Sequence, residues 1–207
     1  MFQDLVQSEA ELRALVGEPS PRARLKQLAA LDNHCQAFIA RAPFVLLGTA
    51  DAAGRCDVSP KGDGPGFVRV LDDRHLLVPD RPGNRRLDGM RNILANPHVG
   101  LLFIVPGRED TLRVNGRAWI TRDTALLAPC AVDGKAPPLG IAVEVEECFL
   151  HCARSFKRAR LWQPGAWDAA GLPSMQRMMW DQIPACRAGT TFEDFERDSR
   201  TSQEVLY

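Results

Sequence analysis

The sequence predicts a mainly β chain with helices at both ends, its strands closing into an antiparallel barrel. Three observations carry that class. Between residues 43 and 147, six or seven short apolar or alternating segments follow one another, separated by tight-turn residues. The same stretch has no alternation of strands with long helices and no GxGxxG run, which argues against a doubly wound nucleotide fold. On either side, over residues 1–42 and 148–207, apolar positions recur at helical spacing. The expected organisation is an N-terminal helical segment (1–42), a barrel domain (43–147) and a C-terminal helical extension (148–207) that covers the barrel or a subunit interface.

In order along the chain, Arg22 to Ala42 places Leu25, Leu28, Leu31, Cys35, Phe38 and Ile39 on one helical face, with Pro43 as the stop. Phe44 to Thr49 reads as a strand. Asp51 to Gly54 is a turn, and Arg55 to Ser59 returns as the pairing strand. Lys61 to Gly66 (KGDGPG) is expected to be irregular. Phe67 to Leu71 and His75 to Pro79 are strands about the turn at Asp72. Asp80 to Asn84 is a loop, and Arg85 to Asn96 a short helix with Leu87, Met90, Ile93 and Leu94 on one face. Val99 to Val105 is a strongly apolar strand. Leu112 to Thr121 alternates as a half-buried antiparallel strand does. Ile141 to Val145 is the last strand. Helices are expected over Glu147 to Leu161, Ser174 to Ile183 and Thr191 to Leu206. Trp119, Met175, Met178 and Met179 are assigned to packing.

Composition narrows the function classes. The 207 residues carry 26 basic and 26 acidic side chains, a formal balance of zero. A general nucleic-acid binder would normally show a basic excess. No apolar run approaches the ~18 residues of a membrane span. The acidic first residues do not resemble a secretion signal. Six cysteines stand at wide, irregular spacings with no CxxC pair, so free, buried thiols in a cytoplasmic setting are expected.

The most informative stretch runs from Leu76 to Phe103. A strand leads through a glycine-containing loop to two arginines at a helix start. Free backbone N–H groups and the positive end of the dipole gather there. With Asn84 as N-cap, Arg85 and Arg86 would make a pocket for a phosphate dianion, because the guanidinium fork binds phosphate oxygens bidentately. The competing reading is two solvated cations in the first helical turn, a placement that opposes the dipole unless an anion compensates.

The order Gly83-Asn84-Arg85-Arg86, Asn96-Pro97-His98-Val99, Leu101-Leu102-Phe103 and Arg113-Val114-Asn115-Gly116-Arg117, with SPKGDGPGFV at Ser59 to Val68, resembles the pyridoxamine phosphate oxidase-like family of FMN-binding split barrels over roughly residues 35–165. The resemblance implies a split β-barrel of antiparallel Greek-key type and a homodimer with FMN at the subunit interface. It implies that Arg85 and Arg86 bind the FMN phosphate with support from Asn84. Val78 and Pro79 would line the ring or ribityl chain. Ser59, Lys61 and Val68 would run beside the flavin, where a lysine stabilises the anionic reduced ring. Thr111 falls where many relatives place a glutamine that reaches the ring. Lys157, Arg160 and Trp162 would approach the cofactor of the partner subunit.

The remaining candidates are weak. Cys148, His151 and Cys152 on one helix would make poor tetrahedral geometry, so no metal site is expected. The four histidines lie in no zinc pattern. Ser59 has no GxSxG context. The functional expectation is an FMN-dependent oxidoreductase acting on a small molecule. The alternatives are a flavin- or haem-binding barrel without turnover, an empty structural barrel, and pyridoxamine phosphate oxidase itself. The last is disfavoured by the ending TSQEVLY, which lacks that enzyme's Arg-Leu-x-Pro signature.

Overall fold

Alternating burial along successive strands builds one sheet. In the computed structural model, which describes residues 1–168 and 170–203, seven strands pair antiparallel: β1 (Phe44–Ala50), β2 (Cys56–Gly62), β3 (Arg69–Val70), β4 (His75–Pro79), β5 (His98–Ile104), β6 (Thr111–Thr121) and β7 (Gly140–His151). Their order is β2-β1-β5-β6-β7-β4-β3. Strands close in sequence are therefore parted where β5 joins β1 and β4 joins β7. The curled sheet with its two free edges is the split β-barrel expected. Inward residues Val45, Leu47, Leu101, Phe103, Leu112, Val114, Val143 and Val145 fill it. Each such side chain contributes ~1.5–3 kcal/mol by leaving water.

Helices flank the sheet. α1 (Glu9–Val16), α2 (Pro21–Leu25) and α3 (Asn33–Ile39) precede it, α4 (Asp88–Ala95) packs on β1, β2 and β6, and α5 (Thr124–Leu127) leads to β7. α6 (Arg154–Ala159), α7 (Met175–Gln182) and α8 (Phe192–Gln203) follow the sheet. Among the described residues, no helix is long and apolar enough to cross a membrane.

Several expectations need correction. The single helix over 22–42 is two helices parted by an extended strap. There Leu28 exchanges backbone hydrogen bonds with Cys148, at 2.9 and 2.8 Å. Residues 147–151 lie beyond the reach of β4, and the strap satisfies their free edge. The helix over 147–161 is likewise wrong at its start. Cys148 to His151 remain in β7, paired to Thr111 to Val114 of β6, so the spacing of Cys148 and Cys152 is not helical. Lys61 and Gly62 are strand, because β1 offers Val45 and Phe44 as partners. The strand over 67–71 shrinks to two residues. α8 covers the helix expected from Thr191, and Leu206 lies outside the described residues.

Cys35, Cys130 and Cys148 are buried as expected, whereas Cys56 and Cys152 are exposed and Cys186 is half-buried. The Cys35 and Cys148 sulfurs approach to 3.9 Å, and burial pushes the Cys35 thiol up to about 12. Trp119, Met175 and Met178, assigned to packing, are about half exposed rather than enclosed in the core.

The register of β6 against β7 shifts at a bulge between Asn115 and Gly116. A Cβ on Gly116 would stand 1.9 Å from the Glu144 carbonyl oxygen. The obstacle is backbone in a paired strand, which has no room to give. Gly116→Ala should therefore lower stability by about 3 kcal/mol, a fall in Tm of roughly 10 °C for a chain of this size. A thermal melt checks this, and an unchanged midpoint would refute the collision.

Candidate functional site

A cleft of about 650 Å³ opens between β2, the chain from Asp80 to Met90, and the loop ahead of β7. That volume is ordinary for a small-molecule site. The two-residue period of β2 turns Asp57, Ser59 and Lys61 toward it. Asp57 and Lys61 are four positions apart along the strand, on the order of 13 Å, so the cleft has two poles.

At one pole the chain enters α4. A Cβ on Gly89 would lie 3.8 Å from Thr49 Oγ1 and 3.9 Å from both Asp57 Oδ2 and Ser59 Oγ, so the helix start sits directly over β1 and β2. Asn92 Nδ2 donates to buried Thr49 Oγ1 at 3.0 Å and fixes the next turn. The opposite wall is a two-residue hairpin. Asp133 and Gly134 have φ of 50° and 75°, the pair of left-handed positions that a type I′ turn requires. Val132 and Lys135 close it with mutual backbone bonds of 3.1 and 2.9 Å. Pro137 and Pro138 continue this wall.

The charges are distributed unevenly. Arg81 Nε pairs with Asp63 Oδ2 at 2.6 Å, with side-chain exposures of 18% and 9%, and its Nη1 donates to the Cys130 carbonyl at 2.9 Å. Arg81 therefore holds the end of β2, its own loop and the 130s loop together. Arg86 Nε binds Asp88 Oδ2 at 2.7 Å. Arg85 is exposed, and among the described residues it has no ion pair. Both Arg85 and Leu87 hold positive φ, 58° and 60°, without being glycine. Two left-handed positions flanking one residue strain the backbone. Such turns also tilt successive N–H groups into an anion-binding concavity. At the other pole, burial pushes the Asp80 carboxyl above its usual range, and the pull of Lys61 and Arg81 offsets this only partly.

Of the residues anticipated from sequence, Ser59, Lys61, Asn84, Arg85 and Arg86 line this one cleft. The helix, however, begins at Asp88, and its N-cap position is Leu87 with no side-chain cap. Arg85 and Arg86 thus precede the first turn. Asn84 is not the cap: its Oδ1 accepts from the Arg86 N–H at 3.0 Å and shapes the loop. Val68, Val78, Pro79 and Thr111 do not line the cleft but are buried, Val68 and Val78 in the barrel core. Lys157 pairs with Glu109 at 3.5 Å. Trp162 Nε1 donates to the Arg108 carbonyl at 2.6 Å. Arg160, left-handed at φ 49°, ends α6. Within one chain none of these three reaches the cleft. Arg81, Asp80, Lys135 and the two prolines were missed. The Asp-Gly turn at 133–134 was their one legible signal.

The family model of pyridoxamine 5'-phosphate oxidase matches residues 31–152, more than half of the chain. No curated protein matches the sequence. Among solved structures, HupZ of Group A Streptococcus is 20% identical over 57% of this chain and 92% of its own, with a TM-score of 0.48. An FMN-binding protein from Syntrophomonas wolfei is 9% identical over 56% and 83%, at a TM-score of 0.45. HutZ, the heme storage protein from Vibrio cholerae, is 19% identical over 58% and 93%, at 0.40.

Two outcomes follow from these charges. Arg81→Ala leaves Asp63 without its guanidinium in a mostly buried site, and should cost about 3 kcal/mol in a denaturant melt; a loss within error would deny Arg81 its clamping role. For Asp80, the raised folded value means that the charged form opposes folding. The penalty is absent below the unfolded carboxylate range and complete above the folded value. Asp80→Asn should therefore raise Tm at pH 7 and leave it unchanged near pH 3. Parallel melts at both values decide, and a lower Tm at pH 7 would reverse the sign.

Proposed function

We propose that this chain, which belongs to the pyridoxamine 5'-phosphate oxidase family, is a homodimeric FMN-binding protein acting as an FMN-dependent oxidoreductase on a small molecule. Arg85 and Arg86 hold the cofactor phosphate in this reading. The observation that carries it is Arg85: a guanidinium without a carboxylate partner among the described residues, on a strained loop at the mouth of the cleft. Strain of this kind, of order 1–3 kcal/mol per residue, persists where the surrounding structure and a ligand favour it.

The residues present fit a phosphate-bearing flavin. Arg85 supplies the uncompensated charge. Arg86 turns from Asp88 or shares its fork between the carboxylate and the phosphate. Ser59 offers a hydroxyl along the strand, and Lys61 places an ammonium at the far pole, where a ring would take up negative charge. When bound, FMN supplies the hydride and electron chemistry. The protein's part is to orient it and set the field around it. Lys61 favours the reduced, anionic form by charge proximity. The 132–138 wall narrows the cleft and limits water.

Homodimer formation is part of the proposal. The outward sheet face carries Val58, 63% exposed, beside Leu46 and Leu102. An apolar face of this kind favours burial against a second copy. In such a dimer Lys157, Arg160 and Trp162 would approach the cofactor held by the other subunit.

The test is an absorbance titration of purified protein with FMN, with mass measured in parallel. The expected result is a saturable flavin spectrum on a dimer. Arg85→Ala with Arg86→Ala should weaken binding about 100-fold, near 3 kcal/mol for lost charge-assisted bonds. Arg85→Ala alone should weaken it more than Arg86→Ala, because Arg86 is already committed to Asp88. Unchanged affinity in the double variant would overturn the phosphate assignment. A bound flavin that reduced nicotinamide does not bleach would favour a binding protein without turnover.

A further inference from the structure

Far from the cleft, polar groups without acceptors gather on a second site. β7 runs on the order of 30 Å from Ile141, at the cleft, to His151. At that end Phe149 and His151 lie on one face, their ring centroids 5.1 Å apart. Lys26 Nζ stands 5.0 Å from the Phe149 centroid and Arg113 Cζ 5.3 Å from it. Lys26 comes from the strap that completes the edge of β7, and Arg113 from β6, directly opposite Phe149.

The donors here exceed the acceptors. Lys26 gives one hydrogen bond, to the Leu150 carbonyl at 2.7 Å, and keeps two N–H groups. Arg113 has no hydrogen bond or ion pair among the described residues. His151 Nε2 is buried and without a partner there. The nearby carboxylate, Glu147, is engaged by Asn115 and Gln27. A ring face offsets only part of a cation's charge. The residual positive field is felt by its neighbours. Burial first, then Arg113 and Lys26, hold the His151 imidazole below its ordinary range. The exposed Cys152 thiol is also lowered, by the backbone and charge of Arg154 and by Lys26.

We propose that Lys26, Arg113 and His151 form an anion site around Phe149 that takes a small phosphate-class oxyanion. The anion accepts from the free donors of Lys26 and Arg113. His151 binds a proton as the anion enters and donates through Nε2, so the group that is orphaned in its absence becomes satisfied. The charged groups that act on the imidazole are Arg113 on β6 and Lys26 on the strap; Glu147, Cys152 and Arg154 are the other titratable groups on its own stretch of chain.

The experiment is an NMR titration of the His151 imidazole, assigned with His151→Gln, in the full-length protein with and without inorganic phosphate. In chloride buffer the midpoint should lie below that of an ordinary histidine. Phosphate should raise it by roughly one unit, as an adjacent opposite charge does. Arg113→Ala should raise the midpoint without phosphate and abolish the response to it. The response should survive Arg85→Ala with Arg86→Ala, which separates this site from the cleft and from the flavin reading. No phosphate response in the parent protein, or a response retained in Arg113→Ala, overturns the proposal. So does a response lost in the cleft variant, which moves the anion to the cleft. A change of oligomeric mass in Arg113→Ala would assign the cluster to a subunit contact instead.

Discussion

The geometry of the cleft depends on one guanidinium. Arg81 is bonded to Asp63 at the end of β2 and to the Cys130 carbonyl in the loop ahead of β7. Its backbone lies in the segment that crosses the opening. Three stretches of chain with few apolar contacts of their own are thus indexed to one rigid fork. Arginine suits this role because its donors diverge in a plane and its charge is permanent. A largely buried pair of this kind adds little net stability over an apolar substitute, yet breaking it is costly. Its contribution is to hold loops in register that burial alone would leave free.

Arg85 and Arg86 are adjacent in sequence and unlike in circumstance. Asp88, in the first turn of α4, answers both the helix dipole and Arg86. Arg85 is left out of that exchange and turned by its left-handed backbone. The strain and the unpaired charge occur at the same residue. At the opposite pole Lys61 and Arg81 offset part of the burial cost of the Asp80 carboxylate. The cleft lining carries Lys61, Arg81, Arg85, Arg86 and Lys135 against Asp57, Asp80 and Asp88, a basic excess in a chain of zero formal charge.

The strands were legible because they obey a local rule. Leu112 to Thr121 alternates, and the apolar run at 99–105 has the length of a buried strand rather than of a helix. What could not be read depended on partners distant in sequence. Residues 26–31 look helical by spacing, but the open edge beside Cys148 offered their backbone better hydrogen bonds than a helix would. Lys61 and Gly62 look like a loop until β1 supplies the matching register. Cys148 to His151 look helical until the bulge at Gly116 lets β6 continue beside them. For the site, the anticipated Ser59, Lys61, Asn84, Arg85 and Arg86 do converge, because they flank the cleft on two consecutive walls. Arg81 and Asp80 were passed over in the same PDRPGN run. Nothing in their spacing reveals a partner eighteen positions earlier or a carbonyl forty-nine positions later.

A formal charge of zero would suggest an electrostatically quiet molecule. The sum conceals the arrangement. Each basic residue of α1, α7 and α8 has an acidic partner three or four residues away, and these pairs are solvated. Such pairs are weak and screened. They remove those charges from the far field and leave it to unmatched groups of both signs, the cations among which matter for anion binding. Those that remain include Arg85 and Lys61 in the cleft, and Lys26 and Arg113 at the end of β7. The cleft and the end of β7 thus contrast with the locally paired helices. In this chain those places coincide with strained backbone in one case and a buried, unsatisfied imidazole nitrogen in the other.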